Sequence, residues 1–472
     1  MKAAPQPRRR LRRRLLVSVL ALAVAGGAAM AGALFAARQA GVAPRQLGPY
    51  VERRSSGHNP AIEHLGHWLG TRLVALDRGA LGPVPPLALR LGAQPAAVDG
   101  DRQGRAVMVA DDDALRAAVT AAQPGDVITV QPGTYRIDRP LDATQDGSED
   151  APITVRAAVP GSVILEQMAE EGFRVHAPYW RFENLTLHGV CADDSTCEHA
   201  FHVTGRAHHF IAVNNTLVDY NAHFKINAEQ GSFPDHGLID ANTLTNTHAR
   251  HTANPVTPID LVAASDWTFR RNLISDFVKA DGDRVSYGAF AKGGGAHNLF
   301  EQNLVWCESR LQGMPGERVG LSLGGGGTLK SLCRDHACVV EQQQSTLRGN
   351  LIVGCSDVGI YLNSAAQSRV IDNSLVDTAG IDVRFPTSSA DIEGNLVDGP
   401  IRSRNDGVLR ERDNLSASPL DAYLGYHPVR SLYAEPEALD FAWRGDAPRR
   451  SGGASPGPGL CGEARAIPAA YG

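Results

Sequence analysis

The chain has 472 residues, enough for one large core with extensions. It holds 46 basic and 51 acidic residues for a formal charge of −5. Lys2, Arg8, Arg9, Arg10, Arg12, Arg13 and Arg14 all fall in a leading segment without acids, so the body is more acidic still. Such a body excludes a general nucleic-acid binder, whose phosphate contacts need a basic surface.

Residues 15–37 follow that basic segment as an uncharged apolar run, long enough to span a bilayer. Residues 1–37 therefore read as a signal peptide or a retained inner-membrane anchor. Both place the body in the periplasm or outside the cell. Membrane contact would come only through residues 15–37, if uncleaved. Residues 38–106, rich in Pro, Gly, Ala and His, read as a stalk or small cap, with one short helix at 63–76. His58, His64 and His67 read as a surface cluster.

From Val107 the pattern turns to short strands. Asp111-Asp112-Asp113 caps a helix over 114–122 with Leu115, Ala118, Val119 and Ala122 on one face, covering the first sheet edge. An asparagine followed by branched apolar residues recurs at Asn184, Asn215, Asn242, Asn272, Asn303, Asn350, Asn373 and Asn395. A second strand follows most of them. Short strands repeating at steps of 22 to 47 residues, with few helices, predict an all-β, right-handed parallel β-helix with a short N-terminal capping helix. The solenoid is expected over 107–412, and a C-terminal cap and tail over 413–472. Stacked turn asparagines would bond coil to coil. The long step between Asn303 and Asn350 holds an excursion, 308–316 and 330–344, expected to overhang one face.

Seven cysteines fit an oxidising compartment. Cys191 and Cys197 flank one short loop, Cys333 and Cys338 another. Cys307 and Cys355 follow equivalent asparagines, and Cys461 is left over. Disulfides or buried thiols fit these spacings better than zinc, and no metal ligand set is assigned. No P-loop, dinucleotide fingerprint, GxSxG or HExxH is present. Cofactors stay unknown, as does the oligomeric state.

A β-helix offers its outer sheet face as a site. If Phe224, Ile259, Leu321, Ile360 and Ile381 point inward, then Lys225, Asp260, Ser322, Tyr361 and Asp382 form one outward column. Asn227, Val262, Gly324, Asn363 and Arg384 form the next. Lys292 joins that second column on a one-residue register shift. The glycines at 293–295 and 324–327 leave a floor open to the close approach of an extended ligand. Lys292, Tyr361 and Arg384 are the candidate catalytic residues, and Lys225, Asp260 and Asn363 the candidate substrate-binding residues. A partly desolvated lysine beside other cations can serve as a base.

ALRAAVTAAQPGDVITVQPGTY at 114–135, with APITVRAAVPGSVIL at 151–165, resembles the opening of polysaccharide lyases of the family 6 type, the alginate lyases and chondroitinases. The paired KGGG and GGGGT stretches also resemble uncharacterised bacterial β-helix repeat proteins. The lyase resemblance implies a right-handed parallel β-helix and β-elimination of uronate glycans. A lysine after a strand would be the base, matched by Ala291-Lys292-Gly293. The family's arginine would fall at Leu323-Gly324-Gly325. Its calcium ligands would fall at 285–289, where no acid stands. The reading is an exported protein that acts on or binds an envelope or extracellular polysaccharide by a lyase-like or epimerase-like step. The alternative is a non-catalytic glycan-binding or structural envelope protein.

Overall fold

The computed structural model describes residues 41–78, 90–97, 104–451, 457–460 and 462–472, with the single positions 17, 19, 24, 26, 27, 32 and 35. The basic segment 2–14, most of the apolar run 15–37 and Cys461 lie outside the described residues. Among those described, no helix is long and apolar enough to cross a membrane. The chain forms two compact units. One comprises residues up to Asp77 with Ser418–Tyr426, and the other Arg78–Ala417 with His427–Gly472.

The smaller unit is helical. Helices Pro44–Ser55 and Pro60–Asp77 each begin on a proline, whose missing N–H costs nothing in a first turn. The short Pro419–Tyr423 helix completes the unit. Gly48 and Gly66 let the long helices close together, since a Cβ on Gly48 would strike the carbonyl of Gly70 and one on Gly66 the side chain of Ser55. A buried ion pair, Arg45 Nη2 to Asp77 Oδ1 at 2.6 Å, ties their ends. Pro49 within the first helix is the reason its sequence does not read as helical.

The larger unit is a parallel β-helix. Among the described residues it has three long parallel sheets of 12, 10 and 11 strands. Each strand pairs with its counterpart one coil away, from Arg105–Val109 at one end to Leu415–Ser416 at the other. Parallel strands joined by crossovers wind right-handed. Inward residues stack in file: the rings of Phe173, Phe201 and Phe224 lie parallel at 5.3 Å spacing, and Phe269 lies 4.5 Å from Phe300.

The asparagine ladder runs along one corner. Asn242 Nδ2 donates to Asn272 Oδ1 at 3.2 Å, Asn272 to Asn303 at 2.9 Å, and Asn303 to Asn350 at 2.9 Å. It continues through Asn373 and Asn395 to Asn414. Each rung follows a residue with positive φ, such as Arg271, Gln302 or Asp372. Asn184 is not a rung. It holds the positive-φ place itself, and Leu185 N–H donates to Asn215 Oδ1 in the position a rung would take. Asn414, outside the expected series, is the last rung.

The helix Asp112–Thr120 caps the first coil, burying Leu115 and Val119. Asp111 accepts from Ala114 N–H at 2.8 Å. Asp111→Ala should cost about 1 kcal/mol, read as a lower Tm with an unchanged spectrum. Three disulfides form, Cys191–Cys197, Cys307–Cys355 and Cys333–Cys338. Cys307–Cys355 links neighbouring coils, and the other two close single loops.

Candidate functional site

The ten-stranded sheet carries every candidate residue. Its strands Ala222–Asn227, Ile259–Val262, Val285–Lys292, Glu317–Leu323, Ile360–Asn363 and Ile381–Arg384 lie side by side in that order. Register pairs Lys225 with Asp260, Asp260 with Phe290, Phe290 with Ser322, Ser322 with Tyr361, and Tyr361 with Asp382. The next column pairs Asn227 with Val262, Val262 with Lys292, and Asn363 with Arg384.

Lys292 thus enters the second column without a register shift. Ala289 is the inward residue of its strand, and Phe290 points outward. Phe290 is nonetheless 4% exposed. It packs with Val262 and Ala263 in an apolar cluster on the outside of the coil, against Phe233, Ala228 and Tyr287. An aromatic ring was the natural choice for an inward position; this outer cluster overrides it.

That cluster sets the state of Lys292. Its Nζ lies 4.2 Å from the centre of the Phe290 ring, and among the described residues it has no hydrogen bond or ion pair. Burial holds the ammonium below its ordinary pKa; Lys225 adds to the depression, while Asp260 and Glu341 oppose it. Lys225 Nζ meets Asp260 Oδ1 at 2.9 Å one coil away. Lys225, Asp260 and Lys292 therefore stand on consecutive strands as one charge group.

The excursion forms the wall. Arg334 N–H donates to Gly293 O at 2.8 Å, and Gly294 N–H to Glu341 O at 2.7 Å. Arg334 also pairs with Asp235 at 2.7 Å and lies over the Phe233 ring at 4.2 Å, tying this wall to the loop that covers the apolar cluster. Glu341, 3% exposed, accepts from Gly325 N–H at 3.1 Å and Thr328 Oγ1 at 3.0 Å, shaping the glycine turn.

Gly324 has φ +69° and a Cβ there would collide with the carbonyl of Asn363, while one on Gly325 would meet Lys292 Cδ at 3.0 Å. Gly324→Ala should lower Tm by several degrees and reduce any Lys292-dependent activity, measured by thermal melt and product formation. Among the described residues, Asn363 Oδ1 is buried beside this turn with no hydrogen-bond partner.

Tyr361 and Arg384 form a second group. Arg384 Nη1 donates to Tyr361 Oη at 2.9 Å and its Nε to Asn405 Oδ1 at 3.1 Å. Their strands lie two and three places from that of Lys292, about 10 and 14 Å by sheet spacing. The structure does not bring this pair to the lysine; the glycine floor lies between.

Sequence reading missed Glu171, His199 and His202, which extend the same face by two coils. His202 pairs in register with Lys225, and His199 with Glu171. Two histidines three apart in one strand, a coil before Lys225, were the available signal.

No protein-family model matches the chain, and no curated protein does. Among solved structures the chain is similar to pectate lyase Pel9A, at 15% identity over 76% of this chain and 96% of that one, with a TM-score of 0.49. It is similar to a rhamnogalacturonan lyase at 12% identity, over 66% and 87% of the two chains, with a TM-score of 0.45. It is also similar to the A-module of the Azotobacter vinelandii mannuronan C-5 epimerase AlgE4, at 15% identity over 70% and 94%, with a TM-score of 0.41. At these identities the likeness assigns no residue a role. By its own sheets the chain is a right-handed parallel β-helix protein.

Proposed function

We propose that the outer face of the ten-stranded sheet acts on an acidic polysaccharide, with Lys292 as the base that removes the proton next to a uronate carboxylate. One observation carries this reading: an unpartnered lysine, desolvated over Phe290, at the lip of a floor without side chains. Desolvation shifts this lysine toward the neutral amine that proton abstraction needs.

The flanking groups fit an extended chain lying across the coils. Lys225, held by Asp260, and Arg384, held by Tyr361, stand on either side of Lys292. Both suit the carboxylates of neighbouring sugars, and Asn363 Oδ1 accepts from a sugar hydroxyl. Tyr361 and Arg384 thereby serve the adjoining sugar rather than the reacting carbon.

In elimination, Lys292 takes the proton from C5 of the uronate. The C–H electrons form the C4–C5 double bond, the C4–O bond breaks, and the leaving oxygen takes a proton from water. In epimerisation, water delivers a proton to the opposite face of C5 instead, and Lys292 gives up the abstracted proton to the resulting hydroxide. Export is part of the proposal, supported by three disulfides. The purified full chain should be incubated with a panel of uronate polysaccharides, following the ultraviolet absorbance of the unsaturated product and, by NMR, the ratio of C5 epimers. Neither product on any member would overturn the catalytic reading in favour of glycan binding.

A further inference from the structure

Glu171, His199 and His202 converge at the start of two neighbouring strands of the ten-stranded sheet. One ligating atom from each lies within 4.8 Å of the others. The register that opposes His199 to Glu171 makes this possible, and His202 follows three residues later on the same strand.

The hydrogen bonds around these rings leave a positive charge unaccounted for. Asn227 Nδ2 donates to Ala228 O at 3.0 Å, so its Oδ1 faces His202 Nε2 at 2.8 Å. His202 Nε2 must then carry a hydrogen. The other ring nitrogen, Nδ1, lies 2.6 Å from Glu171 Oε1. In a neutral ring Nδ1 is a lone pair, and two lone pairs at that distance need a cation between them, a proton or a metal. The second oxygen, Glu171 Oε2, has Arg174 Nε at 3.4 Å.

His199 decides between the two. Its Nδ1 is buried with no hydrogen-bond partner, and among the described residues neither ring nitrogen has one. The ring stands edge-on to His202, with centroids 5.0 Å apart. A proton shared by His202 and Glu171 leaves the His199 ring without a partner, whereas a metal uses one of its nitrogens. Lys225, in register with His202, is neutralised by Asp260.

We propose that Glu171, His199 and His202 form a binding site for a first-row divalent transition-metal cation, of which zinc is the best match. Two imidazoles and one carboxylate suit such an ion, and three protein ligands leave a fourth position open. Calcium and magnesium prefer all-oxygen sets and fit poorly. Asn227 is the supporting residue that fixes the His202 tautomer. The site lies three strands from Lys292, about 14 Å along the sheet, so the ion stands apart from that lysine.

The test uses the full chain, stripped with chelator and titrated with zinc alone, then with cobalt(II) alone. One equivalent should survive gel filtration, and cobalt should give the intense visible bands of a four-coordinate ion. His199→Ala and His202→Ala should lose this equivalent, and Asn227→Ala should weaken it about 10-fold or more. A His64→Ala/His67→Ala variant should bind as the parent does. Equal zinc binding by the parent and the folded His199→Ala or His202→Ala variant would overturn the proposal. So would a parent that retains no zinc. Should those variants fail to fold, the parent's cobalt spectrum decides, and a weak, water-like spectrum would overturn it.

Discussion

Lys292→Ala is expected to lower kcat/KM on an acidic polysaccharide by about 10²–10⁴-fold, the range for loss of a positioned base. The fold should be undisturbed, because Nζ makes no hydrogen bond or ion pair among the described residues. Lys292→Arg should fail as a base equally, since guanidinium stays protonated. The parent's kcat/KM should rise with pH through the pKa of Lys292, below that of a free lysine, because only the neutral amine accepts a proton.

Stability follows the same displacement. The fold disfavours the charged amine, so the unfolded chain binds the extra proton between the depressed pKa and the ordinary one. Stability contributed at this residue therefore rises with pH through that window. Lys292→Met should melt above the parent at neutral pH, and the gap should close once lysine is neutral in both states. Melting curves of the two proteins at neutral and strongly alkaline pH check this sign.

The second large effect is on the ladder. Asn303→Ala is expected to cost about 3 kcal/mol, and Asn303→Asp about as much. Asn303 is 1% exposed and sits mid-ladder. Its Oδ1 accepts from Asn272 N–H at 3.1 Å and Asn272 Nδ2 at 2.9 Å, and its Nδ2 donates to Phe269 O and Asn350 Oδ1, both at 2.9 Å. Alanine removes four hydrogen bonds in a dry corner and orphans the Asn272 N–H, while Asn350 Oδ1 keeps the residue-303 N–H and Asn272 Nδ2 keeps Ile239 O. Aspartate keeps the acceptors but presents no donor and buries a charge. Because each coil rests only on its neighbours, the loss should broaden the denaturant transition as well as move its midpoint. A transition shifted by less than about 0.5 kcal/mol would mean the ladder is not a main tie between coils.

The coil was legible because one residue type marks each corner. Rungs from Asn215 to Asn395 stand where their spacing placed them. At the ends of the ladder local chemistry changed the mark: at its start Leu185 holds the rung position, and the last rung, Asn414, follows a step of only 19 residues. Alternation also gave the two outward columns of Lys225 and Asn227. It left the coil of Phe290 in need of a one-residue shift, since an aromatic buried by an outer loop has the same sequence signature as one buried in the core. That single displacement is what puts Lys292 in register. Of the helical hairpin, the second helix was legible, expected at 63–76 and found at Pro60–Asp77, while Pro49 hid the first. Glu171, His199 and His202 sit where the strands begin, and simple alternation gave no column there.

The most direct test of the central claim is solvent exchange. A uronate polysaccharide is incubated with the full chain in D₂O, and deuterium at C5, with any unsaturated product, is followed by NMR. If Lys292 removes the proton beside the carboxylate, the parent should give labelled C5 or a C4–C5 double bond, and Lys292→Ala should give neither. Equal label or product with parent and variant would contradict the account, and so would their absence from both across the uronate panel.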